Sequence, residues 1–129
     1  MRASIVPAIA LLLVACADGR LPRDRQLATD RGARPLGAVA VRRLFDRGPL
    51  EFVSDLGTPT TLTCTADGRL DVIAFGGDRL GGTCRVTPEG RFCYELSDGR
   101  ASCQTVTVQG ATYSFFDERG DLRSTVRAP

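Results

Sequence analysis

The hydrophobic rhythm of this chain changes several times along its length. Ile5 to Val14 is a continuous stretch without a charged or hydroxyl side chain. Residues 17–34 carry only scattered apolar positions among Arg, Asp, Gly and Pro, a composition that reads as a flexible tether. From Pro35 to Arg47 the residues Leu36, Ala40, Leu44 and Phe45 recur at helical spacing. Pro35 suits a first helical position and Gly48 a stop, so one helix is predicted there. Leu50, Phe52 and Leu56 then alternate with Glu51 and Asp55, the period-two signature of a first strand.

From residue 59 onward one piece of punctuation repeats. Ala66-Asp67-Gly68-Arg69, Pro88-Glu89-Gly90-Arg91 and Ser97-Asp98-Gly99-Arg100 each place an acid, a Gly and an Arg in succession. A type I turn followed by a left-handed Gly is the common three-residue hairpin loop. Gln109-Gly110 reads as a shorter turn, and Gly76 to Gly82 as a longer Gly-rich connection. The expected fold is mainly β: an antiparallel meander or small barrel of about six to seven strands with one N-terminal helix.

Loop length fixes register, and register orients the cysteines. Three-residue loops place Leu96 opposite Arg100 and Cys93 opposite Cys103, Val86 opposite Phe92 and Cys84 opposite Tyr94, Cys64 opposite Leu70 and Leu62 opposite Val72. Because side chains alternate between faces, Cys84, Val86, Phe92, Tyr94, Leu96, Val106, Val108, Tyr113 and Phe115 share the core face. Cys64 lies with Leu62, Leu70 and Val72. Phe75 and Phe116 fall on the opposite face, to be covered by the helix or by sheet closure, or left as an exposed patch for a protein partner. The expected disulfides are Cys64–Cys84 and Cys93–Cys103, each contributing about 3 kcal/mol on the loop-entropy model. Spacings of 20, 9 and 10 residues between these four cysteines argue against a four-thiolate metal site, which needs closely spaced pairs.

The N-terminal run, with one positive charge at Arg2 and small residues at its end, has the layout of a secretory signal. It is far shorter than the roughly 20 residues of a membrane-spanning helix. Leu13-Val14-Ala15-Cys16 resembles the lipobox of bacterial lipoproteins, in which the cysteine is acylated and becomes the first mature residue. The resemblance implies lipidation at Cys16, a periplasm-facing chain held to the lipid bilayer, and the outer membrane over the inner one, because Ala17 rather than Asp18 follows the cysteine. The domain organisation is then a signal peptide at 1–15, a lipidated Cys and flexible tether at 16–34, and a disulfide-bonded β-domain at 35–129.

Composition narrows the chemistry. The chain has 17 basic and 15 acidic residues and no His or Trp; its basic residues are all Arg. Without His or Lys the usual bases for activating a Ser or Cys nucleophile are missing, as are imidazole zinc ligands. Acids alternate with the arginines, so no basic cluster marks a nucleic-acid partner. Gly76-Gly77-Asp78-Arg79-Leu80-Gly81-Gly82 lacks the Lys-Ser/Thr of a phosphate loop. Asp117-Glu118-Arg119-Gly120-Asp121 places Arg119 where a calcium loop needs an oxygen. No catalytic, cofactor-binding or metal-ligating residue is expected, and no carboxylate pair has the setting of a glycoside hydrolase.

Gly81-Gly82-Thr83-Cys84-Arg85-Val86, Gly90-Arg91-Phe92-Cys93-Tyr94, Cys103 and Gly110 to Tyr113 resemble a pattern in small uncharacterised secreted bacterial β-domain proteins, over about residues 66–116. That pattern has Trp at the position of Cys84. The resemblance implies a β-domain outside the cytoplasm and transfers no functional residue. The functional expectation is a non-enzymatic accessory or binding domain on a membrane anchor, with an envelope protein as its partner. The alternative is an inhibitor of an exported enzyme, with the tether or a loop as the inhibitory element; an ordered N-terminal segment projecting from the barrel would favour it.

Overall fold

The computed structural model describes residues 23–128. Among them the chain runs α1 (Arg25–Asp30), β1 (Arg34–Pro35), α2 (Ala38–Asp46), β2 (Leu50–Ser54), β3 (Pro59–Cys64), β4 (Arg69–Ile73), β5 (Arg79–Val86), β6 (Phe92–Leu96), β7 (Ala101–Gln109), β8 (Thr112–Phe116) and β9 (Leu122–Arg127). β2 to β9 form an antiparallel meander that closes on itself. β9 pairs with both β2 and β8, and β7 with both β6 and β8. The result is an eight-stranded barrel, with the two-residue β1 added against the far half of β7. The expectation of six to seven strands is therefore too low. β9 alternates too weakly for its hydrophobic pattern to announce it, and Leu122 turns outward after a bulge between Phe115 and Phe116.

The hairpin loops hold the register that their turn chemistry dictates. Leu62 faces Val72 and Cys64 faces Leu70; Cys84 faces Tyr94 and Val86 faces Phe92; Cys93 faces Cys103. At Leu96 the N–H donates to the carbonyl of Arg100 at 2.7 Å, and Gly99 N–H donates back to the Leu96 carbonyl at 2.9 Å. The connection between β4 and β5 is shorter than expected. Ala74 N–H donates to the Asp78 carbonyl at 2.8 Å, and Gly81 and Gly82 lie inside β5. A Cβ on Gly82 would overlap the Glu95 carbonyl, so glycine there lets two strand backbones approach closely.

An eight-stranded barrel is just wide enough for side chains to fill it, and this one is filled. Leu50, Phe52, Leu62, Cys64, Leu70, Cys84, Phe92, Val106, Phe115 and Val126 form its buried cluster, joined by Val41, Leu44 and Phe45 of α2. α2 closes one mouth, and Phe45 enters far enough to stack on Phe92 with centroids 4.3 Å apart. The helix starts at Ala38, with Gly37 as its N-cap, and not at Pro35. Pro35 instead pairs with Thr107 in β1, at a sheet edge where its missing N–H is tolerated. Leu56, expected on the first strand, sits in the β2–β3 turn and is 89% exposed.

The tether reading fails for the part of residues 16–34 that the structure describes. Asp24 caps α1 through a 2.7 Å bond from Leu27 N–H. Ala28 and Ala33 are buried in a second cluster with Phe116 and Leu122, on the outside of the barrel. The outward-facing Phe116 is thus covered by α1 and the segment after it, where isolated small apolar residues gave no periodic signal. Phe75, the other aromatic expected outside, is 75% exposed.

Candidate binding surface

Four cysteines are placed as two disulfides. Cys64–Cys84 joins β3 to β5 across the start of β4, with Cα atoms 6.1 Å apart, and both residues are buried in the barrel cluster. Cys93–Cys103 links directly opposed residues of β6 and β7, with Cα atoms 4.0 Å apart. It lies on the outer wall, beside a shallow depression of about 250 Å³ that also touches Arg85 and Glu95. Cys16 lies outside the described residues, so lipidation is not addressed by the fold.

The two ends of the barrel differ in character. At the end closed by α2, Val39, Arg43, Arg47, Pro88 and Tyr113 line a groove of about 620 Å³, and Val39 is 66% exposed. This wall is fixed from below: a Cβ on Gly90 would sit 2.6 Å from the Leu36 carbonyl, so the β5–β6 turn is pressed against the entry to α2. The other end carries the β2–β3, β4–β5, β6–β7 and β8–β9 turns. Between its β6–β7 and β8–β9 hairpins, Tyr94, Leu96, Arg100, Ser102, Asp117 and Arg123 line a depression of about 490 Å³. Behind it the buried Gln104 donates to the Ser102 hydroxyl at 3.3 Å.

The acids act as turn caps. The Thr65 hydroxyl donates to Asp67 and, with the Asp67 backbone N–H, holds that carboxyl below the usual aspartate range. The Glu89 backbone N–H and then the Thr87 hydroxyl do the same for Glu89. Asp98 is lowered first by the Arg100 backbone N–H and makes a 2.8 Å ion pair with the Arg100 Nε. A general acid needs the opposite shift. Asp117 of the β8–β9 turn accepts from Arg119 N–H at 2.9 Å and Asp121 N–H at 3.0 Å, so its carboxylate closes a hairpin. Among the described residues no group of three or more His, Cys, Asp or Glu side chains is placed to hold a metal ion, and no helix is long and apolar enough to cross a membrane.

The sequence matches no protein-family model, no curated protein and no solved structure. The reading of this surface therefore rests on its own geometry. Sequence reasoning placed the disulfides but missed the two-ended character of the barrel, because which turns share an end follows from closure and not from local pattern.

Proposed function

We propose that the protein is a periplasm-facing lipoprotein, acylated at Cys16 and held on the outer membrane, whose barrel serves as a non-enzymatic accessory or binding domain. The filled interior carries this reading. Phe45, Phe52, Phe92 and Phe115 occupy the space in which a ligand-carrying barrel keeps a chamber, so recognition falls to the outer surfaces. Two cystines agree with a chain oxidised outside the cytosol. An inhibitor that acts through its tether would be favoured by a projecting N-terminal element. Within residues 23–34 the chain folds back on the barrel instead, burying Ala28 and Ala33.

Palmitate labelling with mass spectrometry of the N-terminal peptide tests the anchor. Acylated Cys16 is expected, with label lost in Cys16→Ser; an unlabelled parent, or a Cys16→Ser chain retained on the membrane like the parent, overturns it. Affinity capture from detergent-solubilised envelope with the acylated chain tests the binding role. A specific partner that is lost in Val39→Asp, at the α2 groove, is expected. Recovery of no specific partner overturns that role.

A further inference from the structure

Leu56 and Phe75 are the two most exposed large apolar side chains among the described residues, at 89% and 75%. Either alone would mean nothing. Both, however, occupy turn tips at the same end of the barrel, flanking the β3–β4 pair that joins Thr61 to Ile73. Their turns are preformed. Ser54 N–H donates to the Thr58 carbonyl and Gly57 N–H to the Ser54 carbonyl, each at 2.9 Å; Gly77 N–H donates to the Ala74 carbonyl at 2.9 Å.

A second, independent observation concerns where the described chain begins. The chain enters the described fold at this same end. Leu122 N–H donates to the Arg23 carbonyl at 2.7 Å, Arg25 N–H donates to the Gly120 carbonyl at 2.8 Å, and Asp24 bridges Asp121. Seven residue steps separate Arg23 from Cys16, a contour of at most about 25 Å. A short link of that kind holds its two ends at high effective concentration.

We infer that the open rim is itself a membrane contact, with Leu56 and Phe75 entering the interface of the bilayer that holds Cys16. The inference rests on the anchored-lipoprotein reading. Insertion of two large apolar side chains into the headgroup–acyl boundary is favourable in the way that seats amphipathic surfaces on membranes. Electrostatics adds little: Asp55, Asp78, Asp98, Asp117, Glu118 and Asp121 share the rim with Arg79, Arg100, Arg119 and Arg123, and Arg23 and Arg25 enter beside the β8–β9 turn, so no net positive field draws anionic headgroups. With the rim seated on lipid, the α2 groove points away from the membrane.

The chain has no Trp, so Leu56→Trp, Phe75→Trp and, at the opposite end, Val39→Trp each give a single reporter at an exposed position. The full acylated chain is reconstituted into phosphatidylcholine vesicles containing lipids brominated on the acyl chain. Trp at 56 and at 75 should shift to the blue and be quenched, while Trp at 39 should not. Leu56→Ser with Phe75→Ser in the acylated chain should speed transfer to acceptor vesicles roughly tenfold or more, and adding anionic lipid to the parent's vesicles should change that rate less than twofold. Acylation is read separately from the mass of the Cys16 peptide. Acylated, vesicle-bound protein with unquenched Trp at 56 and 75 overturns the rim contact and leaves the anchor standing. A blue shift that grows with protein concentration without bromine quenching assigns the rim to a second copy and overturns it too. A chain without the acyl group overturns the anchor and, with it, the bilayer as occupant.

Discussion

Phe45 on α2 stacks on Phe92 of β6, ring centroids 4.3 Å apart and planes 23° from parallel, and neither ring sees solvent. The same Phe45 ring meets Phe115 edge-on at 6.2 Å. A nine-residue helix is too short to be stable alone, so α2 exists because this ring and Leu44 are buried in the barrel mouth. Phe45→Ala should therefore destabilise the protein by about 3–5 kcal/mol. Urea unfolding measures it, and a double-mutant cycle with Phe92→Ala should return a coupling of about 0.5–1.5 kcal/mol. A loss below about 1 kcal/mol would mean that α2 does not seal the barrel.

The two disulfides close loops that differ twofold in length, with sequence separations of 20 and 10, but chain entropy grows only with the logarithm of length and predicts about 3 kcal/mol for each. Their surroundings differ. Cys64 and Cys84 belong to the buried core cluster, whereas Cys103 is only partly buried on the outer wall. Replacing Cys64 and Cys84 by Ala should cost more than replacing Cys93 and Cys103, since the first change also leaves a void. Thermal unfolding of the two double variants, after the connectivity is read from the unreduced digest, decides the order.

The turns explain how much of this fold was legible. Each acid-Gly-Arg loop fixes its own hairpin locally, so the β3–β4, β5–β6 and β6–β7 registers follow from a few consecutive residues, whereas the β4–β5 register depends on Gly81 and Gly82 pairing inside a strand. Closure does not. The pairing of β2 with β9 joins Phe52 to Val126, and no local signal links residues so far apart. The same holds for α1. Phe116 buries Ala28 of α1 and Ala33 just after it, small residues that leave no hydrophobic stripe in a stretch dominated by Arg and Asp. The candidate surfaces were illegible for the same reason, since the rim and the groove are products of closure.

Gly90 and Gly99 form a matched pair that separates backbone strain from crowding. Both have φ near +90°, at 91° and 92°, so a side chain costs about 1–2 kcal/mol at either. A Cβ at Gly99 meets nothing within 4 Å, whereas one at Gly90 falls 2.6 Å from the Leu36 carbonyl and 3.0 Å from the Gly37 carbonyl carbon. Gly90→Ala should be clearly the more damaging, and its excess over Gly99→Ala should appear as faster amide exchange in α2. Equal losses would show that the β5–β6 turn does not bear on the helix.

Asp67, Glu89 and Asp98 are all held below their usual pKa range, by the Thr65 hydroxyl, the Glu89 backbone N–H and the Arg100 backbone N–H respectively. A carboxyl lowered in the folded state favours folding above its unfolded value, about 3.9 for Asp and 4.3 for Glu. That contribution disappears as pH falls through the lower, folded values. The urea midpoint should therefore be flat from pH 7 to about pH 5 and decline below about pH 4. The combined Asp67→Asn, Glu89→Gln and Asp98→Asn variant should show a shallower decline. Since all three groups are exposed, the difference between the two curves should be small beside the disulfide effect.

Phe116 makes the last prediction the most local one. It is fully buried on the outer wall, against Ala28, Ala33 and Leu122, while the neighbouring Phe115 points into the barrel. Removing Phe116 takes away the main apolar surface under α1 without opening the barrel interior. α1 has six residues and a single cap bond from Leu27 N–H to Asp24, too little to persist undocked. In Phe116→Ala, amides of Ala28, Arg31 and Ala33 should exchange much faster while those of β3 to β6 keep most of their protection. Phe115→Ala should instead lower protection throughout the barrel. If Phe116→Ala leaves exchange in residues 25–33 unchanged, α1 is held by the backbone bond from Arg25 to Gly120 and not by this contact.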